Sequence, residues 1–358
     1  MALTLAYRSD LDGLRAFAVA GVLVYHSEIG QSVVSLPGGR IGVDVFFVLS
    51  GYLITTLLLG ELDRAGRIDV LDFYARRALR LMPPFVLLLL IGWWVAAQLP
   101  GPDATPYVAS AAGASAYVSN WVEVWRNIGV LGHTWSLGIE QQYYFVWPLV
   151  LGALVRTRRT LRRIGNLLVV VAVVIMIARP IAYEIAPRFA AFSTITRADG
   201  LLLGSALAMF LADPIPAVTR FLRRRIVHLV ATTVVVVLVV TIGKDELNRL
   251  YLYGLVAVNV FAALIVGGLT VSRTGPVHSV LSWPPIVVIG RMSYAIYLFH
   301  VPVFYYVFKV KLWTGATAVA FALALTLALS WLSGTTIEAW ARGIKDRVRG
   351  YARLRAAG

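Results

Sequence analysis

Long apolar runs recur along the whole of this 358-residue chain, and they constrain its fold more than any other feature. Hydrophobic residues make up 59% of the sequence and charged residues only 14%, whereas a soluble domain has about 25% charged residues. An apolar segment of about 20 residues is long enough to cross a bilayer as a helix. The sequence therefore predicts an all-α polytopic membrane bundle, and a soluble protein with buried helices is a poor alternative.

We predict about ten transmembrane helices around a central cavity. Residues 107–118 are apolar but short, so a re-entrant or interfacial segment on the outer side is expected there. One membrane domain is predicted over residues 1–340, followed by a basic cytoplasmic tail over 341–358. The predicted spans are 14–31, 42–60, 81–99, 140–155, 165–182, 198–212, 227–243, 251–271, 285–307 and 316–334.

Basic residues are concentrated in alternate loops, which gives the predicted bundle a direction. With the N-terminus in the cytoplasm, the inner loops hold arginine clusters such as those within 156–163 and 220–225. This rule accounts for most of the net charge of +15, so nucleic acid is not an expected partner. The excess of Arg over Lys indicates a GC-rich bacterial genome. We expect a multi-pass protein of the bacterial cytoplasmic (inner) membrane, in contact with membrane lipid and with both termini cytoplasmic.

The first predicted span contains an arginine and a histidine, Arg15 and His26, eleven positions apart. A charge at the centre of a spanning helix costs roughly 2.5–3.5 kcal/mol, so such residues usually have a function. Eleven positions correspond to about 16 Å of helix rise and three turns plus about 20°, so both side chains project from nearly the same face. Arg15 is a candidate anion contact and His26 a candidate base or nucleophile. Alternatively, Arg15 reaches the inner headgroups and His26 packs at a helix interface.

Two further segments contain candidate site residues. Arg77 and Arg80 share a helix face at i,i+3 spacing, where two guanidiniums can grip phosphates; alternatively, they are inner-loop cations attracted to anionic lipid. Glu140 is expected at the outer start of its span, where it would orient the His26 imidazole as the acid of a triad does. The alternative for Glu140 is an acid that stabilises a helix start.

Other polar residues near the predicted span ends complete the candidate set. Asp44, at the outer start of the second span, is either a helix-start acid or an acceptor contact. Arg197 and Asp199, at the outer start of the sixth span, are candidate substrate contacts. Arg291 begins the ninth span on the inner side, and His300, about 13 Å deeper, either lines the cavity or packs within the bundle. Small residues let helices approach closely, so the glycines at 42 and 51 are interpreted as packing residues.

Taken together, these motifs resemble the membrane acyltransferase-3 family of bacterial O-acyltransferases. No single motif is specific, but six occur in the family's order from residue 10 to about residue 302, which is nearly the whole chain. The matching segments are DGLRAFAVAGVLVYH, IGVDVFFVLSGYLIT, FYARRALRLMPPF, HTWSLGIEQQYYFVWPL, RADGLLLG and MSYAIYLFHVP.

The resemblance implies acyl-CoA-dependent transfer, usually of acetyl, to a hydroxyl of a cell-envelope or secreted glycan. It also implies functional roles for Arg15, His26, Arg77 and Arg80. Some family members have an extracytoplasmic SGNH-type esterase-like domain, and this chain is expected to be the stand-alone form without one. The expected acceptor is a polysaccharide, a peptidoglycan-type glycan, a glycolipid or a secreted small-molecule glycoside.

The resemblance and the predicted topology combine into one hypothesis. Arg15, Arg77, Arg80 and Arg291 would bind the anionic end of cytoplasmic acetyl-CoA or another acyl-CoA. The phosphopantetheine arm is roughly as long as the offset between Arg15 and His26. His26 would then deprotonate the acceptor hydroxyl or hold the acyl group covalently, and no metal is expected.

A competing function is a transporter or flippase for a lipid-linked sugar. It explains the spans and the intramembrane charges, but it requires neither the inner arginine pair nor the spacing of Arg15 and His26. The absence of cysteine excludes disulfides, thiolate catalysis and iron–sulfur chemistry. The oligomeric state is not predicted.

Overall fold

The computed structural model describes residues 7–27, 29, 38–99, 107–126, 129–157, 159–242, 249–340 and 343. Within these residues, all regular secondary structure is helical, which confirms the all-α prediction. The predicted tail, 341–358, lies outside the described residues apart from Gly343. The α-helices are α1 Ser9–Ser27, α2 Gly42–Ala65, α3 Val70–Ala96, α4 Tyr107–Ser115, α5 Ser119–Trp125, α6 Thr134–Arg156, α7 Leu161–Ile185, α8 Pro187–Phe192, α9 Thr194–Arg197, α10 Asp199–Ala212, α11 Pro216–Leu222, α12 Arg225–Thr241, α13 Arg249–Val271, α14 Pro276–Leu281, α15 Pro284–Arg291, α16 Ser293–Tyr305 and α17 Gly315–Thr335.

Each of the ten predicted spans overlaps helical structure, but the ninth, 285–307, covers two helices, α15 and α16, that meet at 67°. In the described parts of the chain, five helices are long and apolar enough to cross a membrane, and seven segments qualify if the bent pairs α10–α11 and α15–α16 each count as one span. Of the remaining predicted spans, α1 and α6 contain more polar residues, and α12 has only 17 residues. The segment predicted not to span, residues 107–118, contains α4, which has only nine residues, and the seven-residue α5 follows it. The architecture is therefore a polytopic helical bundle.

The connection between α2 and α3 positions a pair of arginines. Gly66 follows α2 with a φ of +67°, a left-handed conformation that glycine adopts without strain. Asp69 then caps α3, where its side chain accepts a hydrogen bond of 3.0 Å from the Asp72 N–H. Arg77 and Arg80 follow about two to three turns into α3.

Two glycines bring α2 and α10 into close contact. A side chain added at Gly51 would come within 2.0 Å of the Leu201 carbonyl oxygen, and one added at Gly204 would come within 2.0 Å of the Val48 carbonyl oxygen. This agrees with the packing role predicted for Gly51. The close approach fixes the distance between α2 and α10 at this contact.

The buried apolar side chains form two large clusters that share α2. One lies mainly between α2, α6 and α16 and includes Phe47, Trp147 and Phe299. The other lies mainly between α1, α2, α10 and α13 and includes Leu49 and Leu255. The apolar window of α2 is 83% buried, more than that of any other candidate span in the described residues, so α2 is the central helix around which the candidate site is built.

Candidate functional site

Three histidine rings meet inside the bundle. His26 lies on α1, His133 immediately precedes α6, and His300 lies on α16. The ring centroids of His26 and His300 are 4.8 Å apart, and those of His133 and His300 are 5.2 Å apart. His300 and His133 are buried, whereas His26 is only half-buried. His26 is therefore the most exposed member of the cluster.

Hydrogen bonds connect these rings to each other and to the backbone. His300 Nε2 lies 3.2 Å from His26 Nδ1, and His26 Nδ1 lies 3.0 Å from the Val22 carbonyl oxygen. His300 Nδ1 lies 2.7 Å from the Tyr297 carbonyl oxygen. The His26 ring is thus held on its Nδ1 side by its own helix and by His300.

Hydrogen bonds connect the start of α6 to α16 beside this cluster. His133 Nε2 lies 3.0 Å from the Leu298 carbonyl oxygen, and the Tyr297 hydroxyl donates to the His133 carbonyl oxygen at 2.8 Å. The Tyr297 hydroxyl also lies 2.6 Å from Ser136 Oγ. These contacts fix the relative depth of the two helices, and hence the position of His300.

A narrow cavity of about 40 Å³ lies between α1, α2, α6 and the start of α16, as the predicted central cavity requires. Its lining includes Arg15, Glu140, Ser136 and Tyr297. Ser136 and Tyr297 also form hydrogen bonds beside the histidine cluster. The cavity therefore extends from the surroundings of Arg15 to the residues that hold the histidines, with room for one or two water molecules.

Glu140 has different partners from those predicted. Its carboxylate accepts hydrogen bonds from the Ser50 and Tyr144 hydroxyls, and it lines the cavity with Arg15. The predicted contact with His26 is corrected accordingly. The reason is one of register, because α6 begins at Thr134 and places Glu140 about two turns inside the helix rather than at its start.

His133 occupies the position at the start of α6 that the sequence analysis assigned to Glu140. It was missed as a site residue although it belongs to the same HTW segment. An available signal was the segment 134–139, which contains neither proline nor a charged residue and so allows the helix to begin before residue 140.

Three of the predicted donor-binding arginines lie close together at the other end of the cavity. The Arg77 guanidinium carbon lies 3.7 Å from the centre of the Tyr144 ring. Arg80 interacts electrostatically with Arg15, Arg77 and Glu338, a residue near the end of the last described span. Arg15, Arg77 and Arg80 thus form a cationic group beside Glu140, and we call these three residues the arginine group.

Arg291 lies in a separate surface patch. Its side chain is 59% exposed, and its Nε and Nη2 donate to the Tyr7 hydroxyl at 3.0 and 2.7 Å. It also lies 3.8 Å from Asp12. The structure therefore does not place Arg291 with the arginine group, because the N-terminal segment before α1 lies beside it.

The predicted substrate contacts Asp44, Arg197 and Asp199 are instead partners in buried ion pairs. Arg197 bonds to Asp44 at 2.8 Å, and Arg179 bonds to Asp199 at 2.5 Å, with all four side chains 1–2% exposed. Asn259 donates a further hydrogen bond of 2.9 Å to Asp199. In this structure these residues connect helices, and Asp44 lies in the first turn of α2, in agreement with the helix-start alternative. Their role as substrate contacts stays a prediction.

Two cations near these pairs were not predicted as site residues. Arg179 lies within the predicted fifth span, and a single arginine in an apolar run was the signal for it. The Arg40 guanidinium lies 4.9 Å from the centre of the Trp135 ring, and its charge acts on both His26 and Asp44. In the described residues, no group of three or more His, Asp or Glu side chains has the geometry to hold a metal ion.

Comparison with known proteins identifies the family to which this chain belongs. The acyltransferase-3 model, described as an acyltransferase domain, matches residues 8–335. The chain belongs to this acyltransferase family. The matched range includes the histidine cluster, the arginine group and Glu140, and together with the apolar helices it indicates a multi-pass membrane protein.

The chain is similar to proteins of Staphylococcus aureus. A protein of strain MSSA476 named as a candidate O-acetyltransferase is 33% identical over 317 residues, and the O-acetyltransferase OatA of strain NCTC 8325 is 32% identical over 314 residues. Both alignments cover 84% of this chain and 51% of the relative, so the acyltransferase spans about half the length of these curated relatives. No solved structure matches it.

Proposed function

We propose that this protein is a membrane O-acyltransferase that moves an acyl group, acetyl in the simplest case, from cytoplasmic acyl-CoA to a hydroxyl of an extracytoplasmic glycan or glycolipid. The main supporting observation is that α1 is continuous from Arg15, in the arginine group, to His26, in the histidine cluster. The two residues are about 16 Å apart along the helix. This separation suits a donor whose charged nucleotide lies far from its thioester.

The arginine group is the proposed site for the charged end of acyl-CoA. Guanidiniums bind phosphate oxygens through paired, charge-assisted hydrogen bonds, and three of them in one place attract a polyanion. Tyr144 supports Arg77 through its ring, and Glu140 limits the repulsion among the cations. We place this end of the bundle at the cytoplasmic face of a bacterial inner membrane, with both chain termini on the same side.

A conformational change is part of the proposal. The cavity between Arg15 and the histidine cluster has a volume of about 40 Å³, which is room for one or two water molecules and far too little for a phosphopantetheine arm. Helices α1, α2, α6 and α16 must therefore separate locally when the donor enters.

In the proposed reaction, His26 is the general base. It takes the proton of the acceptor hydroxyl as the oxygen attacks the thioester carbonyl carbon. The new C–O bond forms, the C–S bond breaks, and the CoA thiolate leaves with the proton returned from the His26 imidazolium. In the alternative pathway, His26 first takes the acyl group itself and then transfers it to the acceptor.

The test is release of free CoA by the purified protein, incubated with acetyl-CoA and an envelope-derived oligosaccharide. We expect acceptor-dependent release and an acetylated oligosaccharide by mass spectrometry. Replacing His26 with Ala should lower the rate about 10²- to 10⁴-fold, the usual contribution of a positioned base. His278→Ala is the matched control, because this half-buried histidine contacts Asp10 on another part of the molecule.

Full activity of His26→Ala would remove His26 from the mechanism. Absence of CoA release with every glycan, glycolipid and small glycoside tested would instead favour a transporter of lipid-linked sugars. Acetylation of only the small glycoside would keep the reaction and change the acceptor class.

A further inference from the structure

His300 connects His26 to the backbone of α16. One ring nitrogen of His300, Nδ1, lies 2.7 Å from the Tyr297 carbonyl oxygen. The other, Nε2, lies 3.2 Å from His26 Nδ1. His300 has no exposed surface, so its two ring nitrogens face these protein partners and not solvent.

The partners determine which nitrogens hold protons. A carbonyl oxygen can only accept, so the contact between His300 Nδ1 and Tyr297 requires a proton on that nitrogen. A neutral imidazole has a single N–H, which leaves His300 Nε2 as an acceptor. No carboxylate forms a hydrogen bond with His300 in the described residues, and a charged ring buried there without one would be costly.

The same reasoning extends to His26. Its Nδ1 lies between two acceptors, the Val22 carbonyl oxygen at 3.0 Å and His300 Nε2 at 3.2 Å. A hydrogen bond to either one requires the proton on His26 Nδ1. The lone pair of His26 is then on Nε2, the nitrogen on the other side of the ring.

We propose that His300 is a positioning residue that keeps His26 in the Nδ1–H tautomer and thereby makes Nε2 the base for acyl transfer. This inference rests on the proposed function, because the free nitrogen matters only if His26 takes a proton. A triad carboxylate has the same orienting task. Here a neutral imidazole performs it and adds no second charge to the buried site.

The surroundings of His300 suit this role. Its ring packs against His133, with centroids 5.2 Å apart, and against Phe304, with centroids 6.0 Å apart. The hydrogen bonds between His133 and α16 prevent that helix from sliding along α6. A partner on a rigid helix holds the His26 ring in one orientation before substrate arrives.

The first test reads the tautomer directly and needs no substrate. The chain has only five histidines, so ¹⁵N-histidine-labelled protein gives few signals, and His26→Ala identifies those of His26. At a pH where the ring is neutral, we expect a protonated Nδ1 and an unprotonated Nε2 in the wild type. In His300→Leu, we expect a mixture of both tautomers, because only the Val22 carbonyl, already part of the helix, remains as a partner.

Phe304→Leu is the control, because it changes the packing of His300 without changing its hydrogen bonds. It should leave the tautomer as in the wild type. An unchanged tautomer in His300→Leu would assign the control of His26 to Val22 and overturn the proposal. This result does not depend on whether the protein transfers acyl groups, so it is distinct from failure of the proposed function.

The second test is kinetic. His300→Leu should lower kcat about 10- to 100-fold, a typical loss when the outer partner of a site histidine is removed, with the KM for acetyl-CoA unchanged. His300→Gln can supply an oxygen acceptor near the position of Nε2 and should recover most of the kcat. Equal losses in the two variants, or an effect on the KM for acetyl-CoA alone, would contradict a positioning role.

Discussion

At the scale of single residues, the electrostatics of the site depend on how far the negative charge of Glu140 balances the positive charges of the arginine group. The carboxylate accepts from Ser50 and Tyr144 and faces Arg15 across the cavity, while Tyr144 provides the ring surface for Arg77. Three cations beside two carboxylates, those of Glu140 and Glu338, leave a local positive charge. Acyl-CoA binding should therefore respond to each arginine separately.

We predict that Arg77→Ala and Arg80→Ala each weaken acetyl-CoA binding about tenfold or more. Each loses a hydrogen bond between charged groups, which is worth about 1.5–3 kcal/mol. Calorimetry at low and high salt measures the effect, and the difference from wild type should shrink at high salt.

Arg76→Ala is the matched control for these variants. Arg76 lies on the same helix, but it bonds to Glu61 at 3.1 Å and so links α3 to α2. Its removal should leave acetyl-CoA affinity unchanged. If all three variants weakened binding equally, the effect would belong to the general positive charge of this face.

A second residue-scale prediction concerns Tyr144. Tyr144→Phe keeps the ring beneath Arg77 and removes only the hydroxyl that donates to Glu140. Tyr144→Leu removes both, including a cation–π contact worth about 0.5–2 kcal/mol. We expect the Leu variant to weaken acetyl-CoA binding several-fold more than the Phe variant, as measured by the same titration. Equal affinities would show that the ring does not support Arg77.

At the scale of helices, the contact between α2 and α10 depends on glycine. We predict that Gly51→Ala lowers the melting temperature in detergent, because the new methyl group would lie 2.0 Å from the Leu201 carbonyl oxygen. Overpacking of this kind costs about 1–3 kcal/mol. Gly152→Ala on α6 is the control, since nothing lies within 4 Å of its added carbon and helix propensity favours alanine. A Gly51→Ala protein as stable as the wild type would mean that the helices readily move apart.

The helices themselves were predictable, but their exact starts were not. Apolar runs located the helices, five to seven of which are long and apolar enough to span in the described residues, because apolar length follows directly from bilayer thickness. The start of α6 was missed by six residues, because residues 134–139, which include Thr134, Ser136 and Gly138, are buried inside the protein and precede the apolar run. That error moved Glu140 to the wrong depth and concealed His133.

The ion pairs show a second limit of the sequence. Arg197 and Asp199 are only two positions apart in the sequence, yet they pair with Asp44 and Arg179 on different helices. Pairing of this kind depends on helix packing, which one sequence does not reveal. The cationic role of Arg15, Arg77 and Arg80 could be anticipated because the loop charges and the resemblance put them on the same side.

At the scale of the whole molecule, a buried carboxylate near the chain start joins distant parts of the bundle. Asp10 bonds to Arg8 at 2.5 Å and to His278 of α14 at 3.0 Å, and Arg8 also donates to the Leu269 carbonyl oxygen at the end of α13. Burial raises the pKa of Asp10, but the hydrogen bond and charge of Arg8, followed by those of His278, outweigh burial and lower the pKa below its ordinary value of 3.8.

We therefore predict that Asp10 stabilises the fold above pH 3.8 and loses this effect as the pH falls through its lower folded-state pKa. The sign follows because the folded protein binds this proton more weakly than the unfolded chain does. Asp10→Asn should have a lower melting temperature than wild type at neutral pH, and the difference should shrink in acid. A constant difference across the titration would assign the effect to packing alone.

The narrow cavity has a consequence for the electrical insulation of the membrane. A permanent passage wide enough for a pantetheine arm would also admit hydrated ions, and each elementary charge crossing 100 mV dissipates about 2.3 kcal/mol. With about 40 Å³ between Arg15 and the histidine cluster, the resting protein offers no such passage along this path. A protein of this kind can work in a membrane that maintains an electrical potential without letting ions leak through. This requires that the path open only when the donor itself fills it.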